Sequence, residues 1–258
     1  MTILSADSQI VLQPARQTHH RESSVKAGKP RPLARNYEVH SVDPKQHERS
    51  VRQLVERRYA WRGLPASSEH CSPVHSLTLA ASCGEEVFGT ATLGLDGPGG
   101  LHADQLYSHE LTRLRGPGVR LCEITRLAVD TPHNTLEVLG TLFHLAYIHG
   151  RLIRGATDLV IEVHPRHVGF YQRMLGFVQL GEEKPCPRVD NAPAVLLHLD
   201  LRHVDRQIAQ LGGAPSCRAR SLYTYFLSRD EQENVLNACG RARPAGLDKL
   251  PARSGQLG

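Results

Sequence analysis

TDLVIEVHPRHVGFYQRMLGF, residues 157–177, sets an apolar strand ahead of a proline turn and a short helix that stops at Gly176. On that helix Phe170 and Met174, like Tyr171 and Leu175, are four residues apart and share faces. Gly176 supplies the left-handed residue that turns the chain into the next strand at Phe177. Of these side chains Tyr171 alone has a polar tip. Aromatic helices ending in glycine ordinarily belong to the core, so two readings of Tyr171 stand side by side: a core ring and a functional hydroxyl.

Working outward, the same alternation of strands and helices fills the centre of the chain. YEVHSV (37–42) alternates as a strand, and Asp43-Pro44 opens a helix to about Tyr59. A loop with Trp61, Gly63 and Pro65 follows. VHSLTLAA (74–81) and EEVFGTATLGL (85–95) flank a hairpin turn. Residues 103–116 read as an amphipathic helix and 119–129 as a buried strand. Asn134 with Glu137 predicts the start of a long helix over 135–153. Strands at 177–180 and 193–201 close the series, and two terminal helices are expected at 203–211 and 219–238, with RSLYTYFL docking its aromatics on the core. The order predicts an α/β fold: a mixed central sheet, helices on both faces and extra C-terminal helices.

Charge divides the chain in the same way. The formal net charge is +5, but residues 1–36 hold six Lys/Arg against two acids and residues 240–258 four against one. The positive charge therefore sits in the tails, which read as solvated basic segments, and no nucleic-acid face is indicated. The organisation expected is a flexible, disordered N-terminal arm (1–36), one domain (37–201), C-terminal helices packed on it (202–239) and a flexible tail (240–258). Six cysteines without a CxxC pair read as reduced thiols, and no export signal or transmembrane segment is seen, so a cytoplasmic location is expected. His164 with His167 and His144 with His149 lack acidic or cysteine partners at ligand spacing, so no metal site is expected.

The chemistry concentrates in CEITRLAV (122–129), where Glu123 interrupts an apolar strand and Arg126 follows three residues later. Strict alternation puts Leu121, Glu123, Thr125 and Leu127 on one face and Cys122, Ile124, Arg126 and Ala128 on the other. Glu123 and Arg126 share a pocket only if the strand bulges, and a bulge would also splay it from the strand at 157–163, opening a slot for a linear ligand. A carboxylate in a central strand is costly unless paired or used, so Glu123 is either half of a structural ion pair with an arginine or a functional group.

Segment 164–177 resembles the fourth conserved block of the GNAT acyltransferase superfamily, and CEITRLAV resembles the Glu-x-(Ser/Thr)-Arg-x-x-Val block of acyl-homoserine lactone synthases. With GTATLGLDGPGG, LTRLRG, CPRVDNAPAVLLHLDL and RSLYTYF, the joint pattern over about 37–201 is similar to the bacterial N-acyl amino acid synthase family. That resemblance implies a GNAT-like fold and transfer of a medium or long fatty acyl group from acyl carrier protein to the amine of an amino acid, with no bound cofactor. It implies that Glu123 acts as base, that Arg126 organises the pocket and that Tyr171 lies near the thioester sulfur.

Direct attack of the amine is expected, since no nucleophile elbow or Cys-His arrangement is present. The acyl donor is expected along Leu127, Ala128 and Val129 and the turn holding His133 and Asn134. The amino acid is expected near Trp61, Arg166 and His167; of the lactone synthases' Arg, Phe and Trp set, only VRQLVERRYAW (51–61) comes close. The turn 130–135 has no glycine and one acid, which suits a pyrophosphate poorly and favours acyl carrier protein over acyl-coenzyme A. Two rivals stand beside this reading: a coenzyme A-dependent N-acetyltransferase of a small amine, and a GNAT-shaped binding module without turnover.

Overall fold

The computed structural model describes residues 37–42, 48–60, 76–130, 135–214 and 219–241. The expectations placed on the N-terminal arm, the far C-terminal tail, Trp61, His133 and Asn134 lie outside the described residues.

Eight strands form one sheet: β1 (Glu38–Ser41), β2 (Ser76–Cys83), β3 (Glu86–Leu95), β4 (Leu121–Val129), β5 (Asp158–Val163), β6 (Val178–Gln179), β7 (Lys184–Cys186) and β8 (Ala192–Asp200). Their order is β1-β2-β3-β4-β5-β8-β6, with β7 also pairing β8. Among the described residues the β4–β5 pair is parallel and every other pairing is antiparallel. The fold is the mixed α/β arrangement expected from the sequence, with β7 added.

Helices cover both faces. On one, Val51 and Leu54 of α1 (Glu48–Ala60) pack on Ala80, Val87 and Ala128. Beside them Tyr107 and Leu111 of α2 (Asp104–Leu114) pack on Leu121, Val160 and Leu196. The opposite face carries the main core, where α3 (Thr135–Tyr147) and α4 (Pro165–Leu175) meet Leu93, Ile124, Ile161 and Leu197. α3 is buried nearly all round, consistent with its apolar sequence. α4 begins with Pro165 at its first turn and ends at Gly176, whose φ of 81° is the left-handed cap that the sequence predicts.

Two helices differ from expectation. The helix predicted over 135–153 is α-helical only to Tyr147 and continues as a π-helical turn, Ile148–Ile153. There Gly150 lies so close to β4 that a Cβ on it would stand 3.5 Å from the Cys122 sulfur. The helix predicted over 219–238 is a 3-10 turn, Leu222–Tyr225, followed by α6 (Arg229–Arg241). The break is a capping box: the Glu231 carboxylate accepts from the Ser228 backbone N–H at 2.7 Å while Ser228 Oγ accepts from Glu231 N–H at 3.4 Å. α5 (Leu201–Leu211) opens on Asp200, whose carboxylate accepts from Arg202 N–H.

The aromatics of RSLYTYFL do dock on the core, with Tyr223 and Phe226 both fully buried. His144 of α3 fastens them. Its Nδ1 accepts from the Leu227 N–H at 2.8 Å, which leaves the Nε2 proton for Gln232 Oε1 at 3.0 Å, and its ring stacks on Phe226.

Candidate active site

The β4–β5 ladder pairs Leu121, Cys122 and Glu123 with Asp158, Leu159 and Val160, then stops. β5 continues alongside β8 to Val163. β4 bends away because it bulges: Thr92 faces Thr125 and Thr90 faces Ala128, so Arg126 and Leu127 together stand opposite Ala91. Arg126 takes the left-handed conformation this requires, with φ 49°. The bulge inverts the alternation beyond it. Ala128 joins Val51 and Leu54 on the face of Glu123, while Leu127 packs on the main core, reversing the faces that strict alternation assigns them.

Past Glu123 the facing edges of β4 and β5 therefore have no ladder partner among the described residues, and a cavity of about 480 Å³ fills the gap. It runs through the sheet. On the α1 side Val51, Arg52, Val55 and Arg58 line it; on the α3 side Leu139, Phe170 and Tyr171 do, and Ile161 and Val163 wall it between. At its polar end stand His102, Glu123, Glu162 and Arg188.

Glu123 is only 2% exposed. Its two oxygens accept from the backbone N–H groups of His102 (2.7 Å) and Ala103 (3.2 Å), which lead into α2. Burial raises its pKa to about 7 against those hydrogen bonds; the Glu162 charge pushes the same way and Arg188 opposes it. The partners of Glu123 are thus backbone donors, and both protonation states are populated near neutral pH.

Glu162 and Arg188 escaped the sequence reading. The Arg188 guanidinium donates to Glu162 Oε2, and also to the His102 carbonyl and Gln105 Oε1, each at 3.0 Å. Burial pushes the Glu162 carboxyl up and Arg188 pulls it down. Glu162 interrupts the apolar DLVIEV just as Glu123 interrupts its own strand, so the same rule would have found it. Arg188, in the 3-10 turn Pro187–Val189, has no comparable signal.

The remaining expected residues divide cleanly. Arg126, Leu127, Ala128 and Val129 line the cavity along β4, as do Arg166, His167 and Tyr171 from α4. The Tyr171 ring packs among Phe143, Phe170 and Phe177, with centroids 5.3–6.1 Å away. Arg166 Nε donates to His167 Nε2 at 3.2 Å at the start of α4, where His164 caps the helix. Arg58 of α1 reaches Asp130 at the end of β4, at 3.3 Å. Among the described residues, no three His, Cys, Asp or Glu side chains are arranged to hold a metal ion, and no helix is long and apolar enough to cross a membrane.

Compared with known proteins, residues 50–200 match the family N-acyl amino acid synthase FeeM. The structure is similar to that of FeeM, an N-acyl amino acid synthase from uncultured soil microbes, at 27% identity and a TM-score of 0.57 over 64% of this chain and 90% of that one. The acyl-homoserine lactone synthase LasI is matched at 16% identity and TM-score 0.43 over 64% and 89%, and Escherichia coli ElaA at 10% and 0.46 over 64% and 99%. No curated protein sequence matches the chain.

Proposed function

The chain belongs to the N-acyl amino acid synthase FeeM family, and from that premise we propose that it moves a medium or long fatty acyl group from acyl carrier protein to the amine of an amino acid. Family membership makes it an N-acyltransferase with a GNAT-like fold. The donor, the acceptor and the residue roles are the proposal.

One observation carries it: the cavity passes through the sheet where the β4–β5 ladder stops, with Glu123 on its wall at that point. A thioester arm laid along the unpaired β4 edge would bring its carbonyl near Glu123, and its acyl chain would follow the apolar bore toward Leu139 and Phe170. Glu123, directly or through a water, takes a proton from the ammonium; the free amine attacks the thioester carbon and forms the C–N bond. Backbone N–H groups near Ala128 and Val129 stabilise the oxyanion. The C–S bond then breaks, Tyr171 protonates the departing thiolate, and the second proton shed by the nitrogen as the amide forms restores the Tyr171 hydroxyl. Arg126, held in the bulge, organises the pocket, and Arg166, with His167 beside it, offers positive charge to the acceptor's carboxylate. The use of a carrier protein puts the reaction in the cytoplasm.

Incubation with acyl carrier protein thioesters and the twenty L-amino acids, followed by mass spectrometry, should yield an N-acyl amino acid. Product from acyl-coenzyme A alone would overturn the donor, and no product with either donor would overturn the function.

A further inference from the structure

Two carboxylates and one guanidinium share the polar end of the cavity, and removing a proton from the acceptor needs only Glu123. Glu123 sits opposite Val160 in the parallel ladder, so Glu162, two residues along, lies on the same face of the sheet, just where the strands part. One Glu162 oxygen is occupied by Arg188. The other, Oε1, is buried and has no hydrogen-bond partner among the described residues. Leaving a buried carboxylate oxygen unmade costs about 1–3 kcal/mol, more when it is charged. Such a group is expected where a ligand completes it.

Charge points to the kind of ligand. With both acids ionised the cluster carries one negative charge in excess of Arg188, and Arg188 is already held in place by the His102 carbonyl and Gln105. A cation with N–H donors would balance the charge and satisfy Oε1; an anion would do neither.

We infer that Glu162 Oε1, beside Glu123, forms the subsite that receives the ammonium of the acceptor, so that Glu162 selects and positions a primary ammonium while Glu123 takes its proton. The inference rests on the reading of the cavity as an amino acid acylation site. The division of labour is geometric: the carboxylate paired with Arg188 keeps its second oxygen for the N–H donors, whereas the one held by the backbone N–H groups of His102 and Ala103 takes the proton. When the proton passes to Glu123, the total charge of the three side chains and the ligand stays at zero, and the nitrogen lone pair turns toward the thioester while one N–H remains on Glu162.

The test is Glu162→Gln, assayed with acyl carrier protein thioester and the best acceptor among the twenty L-amino acids. The matching 2-hydroxy acid, which replaces the ammonium by a neutral hydroxyl, serves as competitive inhibitor. A charge-assisted hydrogen bond of this kind predicts an acceptor KM raised roughly 10–100-fold. The donor KM should stay within about twofold, and inhibition by the hydroxy acid should stay nearly unchanged. Because Gln leaves Arg188 without its anion, Glu162→Gln/Arg188→Gln is measured in parallel and should show the same loss of preference for the amino acid over the hydroxy acid. An unchanged acceptor KM, or equal weakening of amino acid and hydroxy acid, overturns the subsite while leaving the acylation reading standing. Failure of the wild-type protein to acylate any of the twenty overturns that reading and the subsite with it.

Discussion

The Tyr223 hydroxyl donates to the Leu175 carbonyl at 2.7 Å, so a segment beyond the family-matched residues holds the C-terminal end of the helix that carries Tyr171. Ser221 reaches the Met174 carbonyl at 3.4 Å beside it. Tyr223→Phe keeps the ring and strands a buried carbonyl, at a cost of about 1–2 kcal/mol. In a domain of this size that lowers Tm by roughly 2–8 °C. Calorimetry showing an unchanged Tm would mean that the contact does not hold α4.

Glu123→Gln should lower kcat by at least ~10²-fold, because the amide keeps the shape and loses the basicity. The substitution is not silent for stability. One of the two backbone N–H groups of His102 and Ala103 would face an NH₂ in place of an oxygen, costing about 1–3 kcal/mol. The variant should remain folded by circular dichroism; wild-type turnover would remove Glu123 from the mechanism.

The same residue sets opposite pH trends for rate and stability. As a base, Glu123 must be ionised, so kcat/KM should fall as pH drops through about 7. For stability, its folded pKa lies above the ordinary value of 4.5, so its contribution is complete below about 4.5 and lost as pH rises through about 7. The loss from this group is on the order of 3 kcal/mol. Glu162, also raised by burial, adds in the same direction. Urea unfolding at pH 5 and pH 8 should show a smaller loss in Glu123→Gln than in the wild type; equal losses would refute the assignment.

What could be read from the sequence followed from local rules, and what could not depended on long-range register. A charged residue in an apolar strand exposed Glu123, and the need to bring Arg126 to its side implied a bulge. The faces of Leu127 and Ala128 came out reversed, since alternation along one strand cannot report where its partner omits a residue. The π-helical turn at 148–153 left no mark in a continuous apolar pattern. By contrast the Ser228–Glu231 capping box was legible and passed over, because the aromatic run before it reads as helix. Arg188 needed the fold itself: it meets Glu162 only through the return of the chain between β7 and β8.

At its α3 end, the bore that would take the acyl chain is lined by Leu139, which is 8% exposed. Leu139→Trp fills that end. With each buried methylene worth about 0.8 kcal/mol, excluding two or three of them predicts roughly 10–100-fold discrimination against long donors. Competition between short and long acyl carrier protein thioesters, read by mass spectrometry, should shift toward the short chain; an unshifted product ratio would place the chain elsewhere.

Support for Glu123 can also be removed from a distance. A Cβ on Gly181 would lie 2.5 Å from the Tyr107 ring, and that ring cannot retreat: it is fully buried, and its single hydroxyl proton is shared between the carbonyls of Ala194 (2.6 Å) and Glu182 (3.0 Å). Gly181→Ala therefore overpacks the α2 side of the sheet, at a cost of about 1–3 kcal/mol. Tyr107 belongs to the helix whose leading residues, His102 and Ala103, hold the Glu123 carboxylate. The strain should therefore reach kcat as well as Tm, whereas Gly97→Ala, where an added Cβ meets nothing within 4 Å among the described residues, should change neither. A Gly181→Ala protein with wild-type Tm would show that Tyr107 can shift and that α2 is not clamped as its hydrogen bonds imply.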